Sequence, residues 1–226
     1  MQPTLSVVIP VFNDAAPLDC LLERLQAWRQ AGLEIIVVDG GSKDDPAAIC
    51  RERVDQFLQC PAGRARQQHH GALAARAPAL WFLHSDCIPP QDAPAQILAA
   101  LTQHVWGRFD VRLIGQSRWL SVIAFCMNRR SAWSQICTGD QGLFMRSSNY
   151  FAVGGFAPIA LMEDIALSIQ LKNKGRPAIL TAPIQVSPRR WDQHGALKTI
   201  VQMSWLRLRY WAGADPEKLH RSYYRR

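Results

Sequence analysis

The chemistry in this sequence is carried by a few carboxylates at the ends of apolar runs. Leu80-Trp81-Phe82-Leu83 stops at His84-Ser85-Asp86, and Glu34-Ile35-Ile36-Val37-Val38 stops at Asp39-Gly40-Gly41-Ser42. Further along stand Thr138-Gly139-Asp140-Gln141 and Leu161-Met162-Glu163-Asp164. A short carboxylate such as Asp86 is a hard oxygen ligand of the type magnesium or manganese takes when it also holds phosphate oxygens, and His84 and Ser85 can add weaker contacts. A carboxylate at the start of a helix, such as Asp164, can serve as a general base. The plainer reading of each is a turn or helix-capping residue. Arg64 and Arg66 follow Pro61-Ala62-Gly63 in the first turn of an alanine-rich helix, where the helix dipole disfavours cations unless an anion binds there. A solvated basic turn accounts for them as well.

The elements that position these groups follow from hydrophobic period. Leu5 to Val11 is a β-branched run closed by Pro10, and Leu80 to Leu83 is uniformly apolar; both read as strands buried on two faces of a parallel sheet. Between the first two strands, Leu18, Leu21, Leu22, Leu25 and Trp28 recur at helical spacing. A strand-helix-strand unit makes a right-handed parallel crossover, which brings Asp39 to the same sheet edge as Asp86, where open α/β sheets bind ligands. After Asp86 the alternation stops. Val105 to Gly115 alternates as a half-solvated strand does, Trp119 to Trp133 is an apolar helix, and Ile179 to Val186, with its proline, reads as an edge strand. The expected class is α/β, a mostly parallel central sheet flanked by helices.

The chain has 226 residues, enough for one sizeable domain. Its apolar content of 48% excludes a disordered chain, and its net charge of +8 suits an acidic partner: nucleic acid, an anionic membrane surface or a phosphorylated small molecule. The cysteines have no metal-ligand spacing and read as reduced thiols of a cytoplasmic protein. No run approaches the ~20 apolar residues of a membrane span.

Taken in order, Val-Val-Asp39-Gly-Gly-Ser, Gly-Arg64-Ala-Arg66-Gln, Leu-His84-Ser-Asp86, Gly-Asp140-Gln and Met-Glu163-Asp164 make the chain resemble the family 2 glycosyltransferases of the A-type, Rossmann-like nucleotide-sugar fold. More narrowly it is similar to bacterial glycosyltransferases of the arsenosugar-biosynthesis type, through Pro-Ala-Gly-Arg-Ala-Arg-Gln and the late Arg189-Arg190-Trp191. Gln68-His69 stand where that subgroup carries Met-Asn, which bears on donor preference.

The resemblance implies an inverting, metal-dependent transfer of a sugar from a nucleoside diphosphate to a hydroxyl acceptor, with manganese or magnesium as cofactor. It implies donor contacts from Pro10, Asp39, Gly40, Arg64, Arg66, Ser85, Arg189, Arg190 and Trp191, with Asp39 accepting from the base and the arginines near the diphosphate. Asp86 would end the metal motif that similar enzymes write as Asp-x-Asp, His84 replacing the first carboxylate. Asp164 would be the base, Glu163 its orienting neighbour, and Asp140 and Gln141 would lie on the acceptor side. One domain over 1–226 is expected, with a nucleotide-sugar half to about 103, an acceptor half to about 195, and a C-terminal helical extension.

Two other classes compete. A nucleotidyltransferase also uses metal carboxylates, but Asn13-Asp14 stands where its glycine- and lysine-bearing entry loop belongs. A basic nucleic-acid-binding domain would cluster its arginines; here they are dispersed, so no nucleic-acid partner is expected. The last helix carries Leu197, Ile200, Val201, Trp205, Leu208 and Trp211 with Lys198, Arg207 and Arg209. Such a helix suits peripheral contact with the inner membrane face, packing on the domain, or a homodimer.

Overall fold

The computed structural model describes residues 2–115, 117, 119–187 and 196–224. The apolar runs form β1 (Ser6–Val11), β2 (Glu34–Asp39), β3 (Gln56–Gln59) and β4 (Ala79–Phe82), joined by α1 (Ala15–Gln30), α2 (Pro46–Cys50) and α3 (Arg64–Ala74). There follow β5 (Cys87–Ile88), α4 (Ala93–Gln103), β6 (Trp106–Leu113), α5 (Trp119–Ser134), a 3₁₀ turn at Gly139–Gln141, β7 (Phe144–Arg146) and α6 (Ser147–Ala152). The chain continues through α7 (Glu163–Lys172), β8 (Ala178–Val186), α8 (Ala196–Trp211) and α9 (Pro216–Tyr224).

The strands form one sheet in the order β3-β2-β1-β4-β7-β6-β8-β5. All pairings are parallel except those of β7 with β4 and β6, and of β5 with β8. The sheet is therefore mostly parallel, and the carboxyl ends of β1, β2, β4, β6 and β8 share one edge. Side-chain alternation sends Val7, Ile9, Ile35 and Val37 to the face covered by Leu18, Leu21, Leu22 and Leu25 of α1. Val8, Ile36 and Val38 face α3 and Tyr150.

Pro10 lies inside β1, opposite Val38. Val8 bonds toward β4 through its carbonyl, so Pro10, two residues on, turns its missing N–H to the same side. There the β4 ladder has already ended, and the proline breaks no pairing.

Two strand expectations are refined. β6 keeps its alternation only at its C-terminal end, where Arg112 is exposed; nearer its start Arg108 is buried, with its guanidinium on Asp110 and the carbonyl of Asn128 of α5. β8 is the edge from Ala178 to Ile184 among the described residues, and two-residue β5 pairs with it only at Gln185 and Val186. Pro183 falls before that pairing, where the β6–β8 register shifts.

Helix α3 seats on β1 and β2 through Gly71. A Cβ there would stand 2.4 Å from Val8 Cγ1 and 3.0 Å from Val38 Cγ2. For Gly71→Ala, the ~1 kcal/mol gain in helix propensity is outweighed by overpacking of about 1–3 kcal/mol against branched side chains that cannot swing away. Urea unfolding should show a lower midpoint; an unchanged or higher one would mean that α3 does not seat this closely.

Candidate active site

The shared sheet edge gathers the loops after β1, β2 and β4. Asp39 ends β2, almost fully buried, and its carboxylate accepts from Ser42 N (3.0 Å), Ser42 Oγ (2.6 Å) and Gln59 Nε2 (3.3 Å). The turn reading of Asp39 is thus realised in part, and it holds the carboxylate in one orientation. Asn13 N donates to Ser42 Oγ (2.9 Å) and Lys43 N to Asn13 Oδ1 (2.8 Å), tying the first two loops together. Gln67, which sequence reasoning did not single out, is buried in the first turn of α3. Its Nε2 donates to the carbonyls of Val11 (2.7 Å) and Val38 (2.9 Å). This anchors the Arg64–Arg66 turn over two strand ends; Gly40 is pressed against the same side chain.

At the end of β4, Ser85 Oγ donates to the Asp14 carboxylate, and His84 Nδ1 lies 3.3 Å from Asp140 Oδ1. Asp140, expected on the acceptor side, is therefore also a neighbour of the proposed metal ligands. Ligand atoms of His84, Asp86 and Cys87 lie within 4.8 Å of one another. Burial, with the charges of Asp86 and Asp140, pushes the Cys87 thiol well above its usual range, and its soft sulfur suits magnesium or manganese less well than oxygen ligands do. His84 Nε2 is buried and has no hydrogen-bond partner among the described residues. An oxygen from Asp86 and a nitrogen from His84 fit a magnesium or manganese ion that takes its remaining ligands from phosphate and water.

Across from them, Met162 adopts a left-handed conformation (φ 71°) at the N-cap of α7, an unfavourable one for a methionine. It delivers Glu163 and Asp164 to the cleft. Asp164 Oδ2 accepts from Gly139 N at 2.8 Å and Oδ1 from Ile165 N at 2.7 Å. Glu163 is buried, 4.0 Å from Arg64 Nη1. Burial, then the charge of Asp164, raises its carboxyl to about 7 against the opposing pull of Arg64 and His84.

Two further arginines border this group. Arg130, from the basic end of α5, has Nε and Nη2 buried without a partner among the described residues; burial, then the charge of Arg207, lowers its guanidinium to about 10. Arg207 is lowered by burial, while the charges of Asp164 and Asp140 oppose this. Its signal in the sequence is its place on α8 beside Met203, Leu206 and Tyr210, the helix's inward stripe.

His84, Asp86, Asp140, Glu163, Asp164 and Arg64 thus come together, with Asp39 and exposed Arg66 farther along the edge beside Cys60. Gln141 is fully buried and spends its Oε1 on Thr138 N (3.1 Å), which shapes the 3₁₀ turn. His69, at a position where the similar subgroup differs, hydrogen-bonds Tyr150 Oη (2.9 Å). Arg189, Arg190 and Trp191 lie outside the described residues.

Residues 6–160 match the family model for glycosyl transferase family 2. An uncharacterised glycosyltransferase of Mycobacterium tuberculosis is 33% identical over 165 residues, 68% of this chain; the match spans 63% of the relative, under two thirds of its length. A PGL/p-HBAD biosynthesis glycosyltransferase of Mycobacterium bovis is 26% identical over 220 residues, 91% of this chain and 83% of its own. Among solved structures, Staphylococcus aureus TarS in complex with UDP-GlcNAc superposes with a TM-score of 0.65 at 16% identity, over 81% of this chain and 58% of TarS. Mycobacterium tuberculosis glucosyl-3-phosphoglycerate synthase, holding Mg2+ and UDP, gives 0.61 at 20% identity over 81% and 70%. The fold is that of these nucleotide-sugar transferases.

A carboxyl raised from 4.5 to about 7 keeps its proton in the folded chain and loses it in the unfolded chain across that window. Stability therefore falls as pH rises through the window and levels off above it. Glu163→Gln removes the buried charge. The variant should be more stable than the parent by on the order of 1–3 kcal/mol at about pH 8, with the gain vanishing near pH 4.5, in paired denaturant titrations. A gain that does not depend on pH, or a loss at pH 8, would contradict the burial of an ionisable Glu163.

Proposed function

This chain belongs to glycosyl transferase family 2, and we propose that it moves a sugar, with inversion, from a nucleoside diphosphate to a hydroxyl acceptor. One observation carries the reading: the hydrogen bond from Gly139 N to Asp164 Oδ2, which seats an oriented carboxylate opposite the His84–Asp86 strand end. One carboxylate facing a phosphate-binding edge is what a single displacement needs. The acceptor oxygen attacks the anomeric carbon and passes its proton to Asp164 as the bond from that carbon to the β-phosphate oxygen breaks. Proton transfer of this kind contributes ~10²–10⁴ in rate.

The roles follow from chemistry. Asp39, with Gly40 and the neighbouring end of β1 at Pro10, accepts from the donor base; its ties to Ser42 and Gln59 support this by holding the acceptor rigid. Arg64 and Arg66, in the first turn of α3, meet the charge of the diphosphate where the helix dipole also favours an anion. Arg189, Arg190 and Trp191 are proposed for the same diphosphate on resemblance alone. Ser85 keeps the β4 end in place through Asp14. Asp86 and His84 would hold manganese or magnesium, which when bound neutralises charge on the leaving diphosphate. Glu163 fixes the start of α7 and meets Arg64, linking the base to the donor side. Asp140 and Gln141 shape the acceptor side, Asp140 through His84 and Gln141 through the 3₁₀ turn.

The reading extends to one domain over the chain, to a cytoplasmic location in keeping with the buried free thiols of Cys50, Cys87 and Cys137, and to a C-terminal helix that contacts a membrane or a second copy.

Asp164→Asn should leave binding of uridine or guanosine diphosphate with manganese within a few fold by calorimetry, and lower transfer by ~10²–10⁴. Retained turnover, with donor and acceptor supplied, would remove Asp164 from the role of base.

A further inference from the structure

Helix α5 leaves a large apolar surface uncovered. Leu120, Ile123 and Ala124 face the core, while Trp119, Val122, Phe125 and Trp133 are each more than half exposed, Trp133 at 87%. Their spacing of three, three and eight puts them on one side of the helix. Four large apolar groups on one exposed helix face exceed the scattered single residues that a protein surface normally tolerates. Arg129 follows the same side, its guanidinium 5.3 Å from the centre of the Phe125 ring. Helix α8 repeats the design: Leu206 and Thr199 are buried, while Val201, Trp205, Leu208 and Trp211 are each more than half exposed. The two helices meet at the same end of the cleft, since Ile136, just past α5, packs in one cluster with Leu206, and Arg130 senses the charge of Arg207.

We propose that the exposed faces of α5 and α8 together dock this protein onto an anionic lipid bilayer. The residue types are those of helices lying in a membrane interface: indole and phenyl rings that sit at headgroup depth, beside arginines whose stems lie along the apolar surface and whose charges reach lipid phosphates. Charge decides against a second copy of the chain as the occupant. Neither α5 nor α8 contains an Asp or Glu, whereas Arg129 lies beside the exposed rings of α5 and Arg209 stands near the end of α8, so apposing two copies of this face would set cation against cation. An anionic membrane supplies the missing sign, worth a fewfold in affinity for each basic residue near its surface. No helix among the described residues is long and apolar enough to cross a membrane, so the contact is peripheral.

If the sugar-transfer reading holds, on which this one consequence rests, docking sets the acceptor side of the cleft against the lipid. Helix α8 shows the membrane Trp205 and Trp211 and turns Arg207 toward Asp164 and Asp140, so hydroxyls carried on membrane amphiphiles become the acceptors within reach.

The test is flotation of the full chain with vesicles of phosphatidylcholine alone and of phosphatidylcholine mixed with phosphatidylglycerol, without nucleotide, at low and high salt. Its outcome is therefore independent of whether sugar transfer occurs. Binding should be confined to the anionic vesicles and weaken with salt, and Trp119→Glu/Phe125→Glu/Trp133→Glu should lower it by about tenfold or more while the melting temperature stays that of the parent. Absence of binding to anionic vesicles, or equal binding by the variant, overturns the proposal. So does a dimer in sedimentation velocity that the same substitutions dissociate, which would make this face a self-interface. Should the triple variant fold poorly, Trp133→Glu alone, at the most exposed position, gives the same reading.

Discussion

The missing side chain at Gly139 governs how closely the two halves of the molecule meet. A Cβ there would stand 2.6 Å from His84 Nε2, so only glycine lets the 3₁₀ turn lie against the end of β4 while its N–H reaches Asp164. The turn is fastened from below. Ser168, fully buried on α7, shares its hydroxyl among the carbonyls of Asp164 (2.7 Å) and Cys137 (3.3 Å), and accepts from Cys137 N at 3.1 Å. The same few hydrogen bonds therefore set the height of the turn, the start of α7 and the direction of Asp164. Everything on this side of the cleft is placed relative to that junction.

Charge is balanced across it. Asp86, Asp140, Glu163 and Asp164 would repel one another in a dry cleft, and burial, then the charge of Asp164, raises Glu163 to about 7. Arg64 approaches from the first turn of α3 and Arg207 from α8, so cations enter from both flanks. Buried Arg130 carries guanidinium nitrogens with no partner among the described residues, an arrangement that costs free energy until an anion arrives. A site with orphaned cation donors beside clustered carboxylates is suited to a ligand that brings negative charge and a metal that offsets it.

Much of this was legible in the sequence because it depends on local pattern. Strand runs ending on Asp39 and Asp86, the arginines in a first helical turn and the paired acids opening a helix all stand where those patterns put them. The remainder depends on distant partners. Arg108 reads as a solvated position until α5 covers it, and β5 is too short for any periodicity to announce. Gln67 matters because it meets Val11 and Val38, 56 and 29 positions away, which no local spacing encodes. Arg130 and Arg207 look like ordinary surface cations in sequence, and only tertiary packing turns them inward. The helix from Trp119 reads in sequence only as apolar, and only coordinates reveal which of its faces is left bare.

The convergence of Asp39, Asp86 and Asp164 on one cleft is tested most directly by anomalous diffraction from crystals grown with manganese and uridine diphosphate. The predicted result is a single manganese peak bonded to Asp86, with the diphosphate beside Arg64 and the base toward Asp39. A peak elsewhere on the molecule, or a nucleotide bound away from both Asp39 and Asp164, would contradict it.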